Sequence, residues 1–129
     1  MNDKDVRIGQ QIIHEDDLKI KVDYKGEIFT LKYPNPIMKS AIEGEIARRL
    51  GGFTRDCYPQ DHVYMVIATT YVDNLIISKE SPGWFGNAWE CLDEELIGTL
   101  YGEYLSFRSK FQEKLKQGQY KDPDKGRSS

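Results

Sequence analysis

From Leu18 onward the chain alternates strictly. Leu18, Ile20, Val22 and Tyr24 are separated by charged residues, and after Lys25-Gly26 the alternation resumes at Phe29, Leu31 and Tyr33, with Thr30 and Lys32 between them. A period of two marks a strand with one buried face, and two such runs flanking Lys-Gly predict a β-hairpin. With Lys25-Gly26 as the loop, Tyr24 faces Glu27, Val22 faces Phe29, Ile20 faces Leu31 and Leu18 faces Tyr33, so the apolar side chains share a face. A slip of one residue would set Phe29 and Leu31 against charged partners. The other face carries Lys19, Lys21, Asp23, Thr30 and Lys32, with Ile28 as its apolar exception, and is expected to meet solvent or a polar partner. An isolated hairpin is marginal, so its apolar face needs helices to cover it.

The period then changes to that of a helix. Pro34-Asn35-Pro36 ends the second strand, because proline cannot donate to a ladder. Met38, Ile42, Ile46 and Leu50 recur every four residues with Ala41 on the same side, predicting a helix from about Ile37 that Gly51-Gly52 stops. Pro59 suits a first helical position and Asp61 a first turn, and the run HVYMVIATTYVDNLIIS extends that helix to about Ser78. It is apolar around most of its circumference and belongs in the middle of the domain. A last helix is predicted from about Asp93 to Lys116, with Leu96, Leu100, Tyr104, Phe107, Phe111 and Leu115 as a continuous stripe. Asp93, Glu94 and Glu95 suit its start, and Lys110, Lys114 and Lys116 its end.

The expected architecture is therefore α+β: a two-stranded hairpin packed on about three helices, spanning residues 18–116 as one domain. Residues 1–17 are polar and acidic with an isolated Ile12-Ile13, and read as an arm that is flexible or ordered only on a neighbour. Residues 117–129 read as a flexible tail broken by Gly and Pro. No fixed-period repeat occurs.

Composition narrows the function classes. A chain of 129 residues with 39% hydrophobic and 30% charged residues has the length and make-up of one globular domain. A net charge of -3 gives no electrostatic reason to expect nucleic-acid binding. No apolar run approaches the ~20 residues of a membrane span, and MNDKDVRIGQ lacks the apolar centre of a signal peptide. The expected location is a cytoplasm, where Cys57 and Cys91 stay reduced as partly buried small hydrophobes.

Chemical motifs are sparse. His62 lies near Cys57, but Cys91 and His14 are remote from both and no zinc spacing can be written, so no metal or cofactor is expected. Gly51-Gly52 follows a helix, not a strand, and does not have the setting of a phosphate loop. Glu94 and Glu95 point about 100° apart on a helix, and a helix start explains both without acid/base chemistry. His62 sits in a first helical turn beside a cysteine that belongs to no catalytic pattern. No enzymatic activity is expected.

What remains is an excess of aromatic residues. SPGWFGNAWECLDEEL, residues 81–96, carries both tryptophans and can plug the space beside the last helix or present an aromatic contact. Eight tyrosines are more than a core of this size needs, and Tyr101 and Tyr104 lie beside Arg108 on the last helix. Trp84, Phe85, Trp89, Tyr101, Tyr104 and Arg108 are the candidate partner-binding residues.

The element order resembles that of small bacteriophage tail-region proteins. A hairpin ending in FTLKYPNP, the helix EIARRLGG, the helix VYMVIATTYVDNLII, the segment SPGWF and the helix DEELIGTLYGEYLSFRSKF follow one another over residues 18–115. Many proteins of that kind are tail assembly chaperones. The resemblance implies a non-enzymatic protein in the host cytoplasm that binds other phage proteins, tape measure or tail tube components, and keeps hydrophobic helices soluble until the tail assembles. The alternative is a permanent virion component of the tail, baseplate or head-tail connector, whose polar arms would wrap neighbouring subunits.

Overall fold

The computed structural model describes residues 5–8 and 11–117. In chain order these form strands β1 (Asp5–Ile8), β2 (Gln11–His14), β3 (Lys19–Tyr24) and β4 (Glu27–Lys32), then helices α1 (Pro36–Arg49), α2 (Gln60–Leu75) and α3 (Glu94–Gln117). Short 3-10 turns join several of them. The class is α+β, as the alternating and helical periods require.

β3 and β4 pair antiparallel with Tyr24 against Glu27, Val22 against Phe29 and Ile20 against Leu31, the register in which the large apolar side chains other than Ile28 fall on one face. Lys25 and Gly26 both have positive φ, 52° and 87°, the sign pattern of a type I′ turn whose twist matches that of the strands. Leu18 ends a 3-10 turn and does not lie in β3, yet its carbonyl still accepts the Tyr33 N–H at 2.9 Å. The ladder therefore closes as the pattern demands even though the strand is one residue shorter.

α1 begins where Asn35 Oδ1 accepts the Met38 N–H at 2.7 Å and Pro36 occupies the first position. It ends in a Schellman arrangement: Gly51 N–H donates to Arg48 and Gly52 N–H to Ala47, with φ of 69° and 80°. Ile42, Ile46 and Leu50 are buried, while Ala41 faces out. α2 is central, packing against α1, α3 and β4. One core joins Phe29 and Leu31 of the hairpin to Ile46 of α1, Val72 and Leu75 of α2, and Leu96 and Leu100 of α3.

Three expectations need correction. α2 does not continue to Ser78 but stops at Leu75; Ile76 bridges to Leu31, and Ile77 N–H donates to the Thr30 carbonyl at 2.8 Å. The outward backbone groups of β4 need partners, and two β-branched isoleucines favour the extended conformation that supplies them. Thr30 is consequently buried, with its N–H donating to Ser81 Oγ, so that side of the hairpin is not wholly solvated. Residues 1–17, expected as an arm that is flexible or ordered only on a neighbour, contain the antiparallel pair β1–β2 with Val6 opposite Ile13, and the Ile13 side chain is buried. Strands of four residues are too short to announce themselves by alternation. Residues 1–4 and 9–10 of that stretch and the tail at 118–129 lie outside the described residues, and Gln117 belongs to α3.

Candidate functional site

The segment after α2 is built from its turn outward. Phe85 N–H donates to the Pro82 carbonyl at 3.1 Å, a tight turn that presents two successive aromatic rings with very different exposure. Phe85 goes inward, 6% exposed and edge-on to the buried Phe29 at 5.5 Å. Trp84 goes outward, 61% exposed, with Nε1 donating to Glu27 Oε1 at 2.9 Å and its ring edge-on to Phe29 at 5.9 Å. Phe85 is thus a core residue and not a contact residue. Trp84 is a contact candidate already held in one orientation, so little rotamer entropy is left for a partner to remove.

Trp84 stands at the turn end of the hairpin, and the opposite strand carries the surface on. Tyr24, the cross-strand partner of Glu27, points its hydroxyl at Asp93 Oδ2 (3.0 Å) and Glu95 Oε1 (3.3 Å). Loss of solvent, followed by the hydrogen bond to Asp93, pushes the Tyr24 phenol up to about 12. Asp93 caps α3 by accepting the Leu96 N–H on Oδ1. That backbone hydrogen bond, with help from Tyr24, holds its carboxyl below the usual range despite some desolvation. Just ahead of this cap, Leu92 is 97% exposed. Trp84, Glu27, Tyr24, Asp93 and Leu92 therefore make a continuous surface across one end of the domain.

Trp89 occupies a different place. Its ring lies under the Arg49 guanidinium, 3.8 Å from centre to centre, and it is 37% exposed. Arg49 also meets Glu45 at 3.0 Å, and Glu45 accepts from Asn74, so the residue clamps the 3-10 turn Ala88–Glu90 to α1 and α2. Partial burial opposes ionisation of Glu45, but the bonds from Asn74 and Arg49 outweigh it and lower its pKa. Ala88 N–H donates to Asp73, fixing the same turn from below. A stacked cation of this kind makes Trp89 mainly a structural residue with one edge open.

Tyr101, Tyr104 and Arg108 form a third group on α3. Tyr104 is 1% exposed and stacked on Tyr71 at 5.3 Å, so it is core and cannot touch a partner. Its hydroxyl has no hydrogen-bond partner of good geometry among the described residues, although the Arg108 guanidinium lies near enough to favour its ionised form. Tyr71 fares better, donating to Glu43, which in turn pairs with Arg55. Burial raises the phenols of Tyr101 and Tyr104 against the opposing charge of Arg108, while burial and the Glu43 carboxylate raise Tyr71. Tyr101 and Arg108 are half-buried, with Tyr101 packed between Tyr64 and Tyr71. No ring contact among the described residues joins this group to Trp84 and Phe85. The six candidates therefore divide into three places, and only Trp84 is both anchored and mostly open.

Sequence reasoning overlooked Leu92, Tyr24 and Glu27. A lone leucine between a cysteine and an acidic helix start has no periodic partner, and only the fold brings the hairpin turn to it. Elsewhere, Cys57 is exposed in a 3-10 turn instead of partly buried, Cys91 is half-buried, and both are free. His62 rests against the Tyr58 ring. Among the described residues, no group of three or more His, Cys, Asp or Glu side chains is placed to hold a metal ion, and no helix is long and apolar enough to cross a membrane. No protein-family model matches the chain, and no curated protein or solved structure matches it either.

Proposed function

We propose that this protein acts by binding other proteins and not by catalysis, as a tail assembly chaperone-like factor working on phage tail components in the host cytoplasm. The phage assignment rests on the resemblance in element order over residues 18–115. The binding role is supported by one observation above the others: Trp84 leaves more than half of its surface in solvent while a hydrogen bond and an aromatic contact hold it still. Immobile, exposed tryptophan is the side chain that most often anchors a protein interface.

Co-expression with tape measure and tail tube proteins, followed by co-purification, tests this reading. A partner retained by the wild type and lost with a Trp84→Ala protein that is still folded supports it; a wild-type protein that retains neither component sinks it. Mass spectrometry of purified particles then separates the chaperone from the permanent virion component, since stoichiometric presence in mature particles favours the latter.

A further inference from the structure

Building on the protein-binding role proposed above, we infer that the turn-end surface recognises a basic segment of its partner, with Trp84 and Leu92 taking apolar side chains and a ring of carboxylates taking lysines or arginines. Leu92 and Trp84 are the apolar pair, 97% and 61% exposed. They are linked through Glu27, its cross-strand neighbour Tyr24, and Asp93. Around them stand Glu27, Asp93, Glu94 and Glu95, while residues 81–96 contain no lysine or arginine.

The charge on this surface is unbalanced from within. Among the described residues Glu43 meets Arg55, Glu45 meets Arg49, and Glu80 meets Lys19, but none of the four turn-end carboxylates forms a salt bridge. Those of Glu27, Asp93 and Glu95 accept hydrogen bonds from neutral groups, which fix their positions without cancelling their charge. Lys25, over the Tyr24 ring, is the nearby cation in the turn and offsets only part of it. A cationic partner removes the mutual repulsion of these groups on docking, whereas an acidic protein, nucleic acid or anionic membrane adds to it. Two open apolar side chains inside such a ring match a partner that alternates apolar and basic positions.

Fluorescence anisotropy with two labelled synthetic peptides tests the inference: one of leucine and lysine at helical spacing, the other with glutamate replacing every lysine. The full-length protein is expected to bind the first and not the second. Leu92→Lys and Glu94→Lys, both at exposed positions, should each weaken binding about tenfold or more. Asp61→Lys makes the same charge change in the first turn of α2, outside this surface, and should weaken binding severalfold less. Equal binding of both peptides, no binding of either, or equal loss from Asp61→Lys and Glu94→Lys overturns the inference. Co-purification of tail components by the Leu92→Lys and Glu94→Lys proteins at wild-type levels also overturns it while leaving the protein-binding role standing. Only a wild-type protein that retains no component removes that role.

Discussion

Tyr24 and Asp93, far apart in the chain, meet through a 3.0 Å hydrogen bond that ties the turn end of the hairpin to the start of α3. The same Asp93 carboxylate accepts the Leu96 N–H. One side chain thus both begins a helix and docks a strand, and it holds the rim on which Leu92 stands.

This relationship has an acid limb and an alkaline limb. Asp93 ionises more readily in the folded state, so its contribution is complete above the unfolded carboxyl pKa of about 4 and is lost as pH falls through the lower folded value. Tyr24 has the opposite sign: its folded pKa is raised, so its contribution is complete below about pH 10 and lost as pH rises through about 12. Urea midpoints measured against pH should show both declines. Asp93→Asn should flatten the acid one and Tyr24→Phe the alkaline one; unchanged slopes in either variant would falsify the corresponding assignment.

Phe85 and Trp84 adjoin in sequence and differ in role, and their truncations should differ accordingly. Phe85→Ala opens a cavity against Phe29 and is expected to cost about 3–5 kcal/mol. Trp84→Ala removes one hydrogen bond and the ring edge contacts with Phe29 and Phe85, for an expected loss of about 1–2 kcal/mol. Chemical denaturation measures both, and equal losses would show that Trp84 is a core residue after all.

The tyrosines of α2 and α3 offer a contrast in hydroxyls. Tyr104→Phe deletes a buried hydroxyl that has no partner among the described residues, so stability should be unchanged or slightly higher. Tyr71→Phe deletes the donor to Glu43 and should cost about 1–2 kcal/mol. A destabilised Tyr104→Phe protein would reveal a partner for that hydroxyl.

Two glycines of the α1 region should respond oppositely to alanine. Gly51 sits at φ 69°, where any L side chain is strained, while the added Cβ would make only an ordinary contact with the Phe53 ring at 3.5 Å, so Gly51→Ala should cost about 1–2 kcal/mol. Gly44 lies inside α1 with only the Arg48 side chain nearby at 3.7 Å, and Gly44→Ala should stabilise by about 0.5–1 kcal/mol. Thermal melts of the two variants should move in opposite directions.

Features repeated along the chain were legible before any coordinates. The pairing of Val22 with Phe29 follows from alternation alone, and the burial of Leu96, Leu100 and Phe111 follows from one helical stripe. Features that depend on a distant segment were not. The apolar run of α2 reads as helix to about Ser78, because nothing local says that the edge of β4 lies waiting for Ile76. Tyr104 beside Arg108 has the composition of an interface, and only the stacking on Tyr71 removes it from the surface. Leu92 gains meaning only when the Tyr24–Asp93 bond brings the hairpin turn alongside it.

The return of the chain along β4 has a consequence for how copies of this protein can meet. A strand edge with free backbone groups invites another copy to add its own strand, the first step toward open-ended fibres. At Thr30 both backbone groups are already taken, the carbonyl by Ile77 and the N–H by Ser81. A protein that keeps a tryptophan in open solvent is thereby denied the backbone template at that point that would turn casual encounters into aggregation.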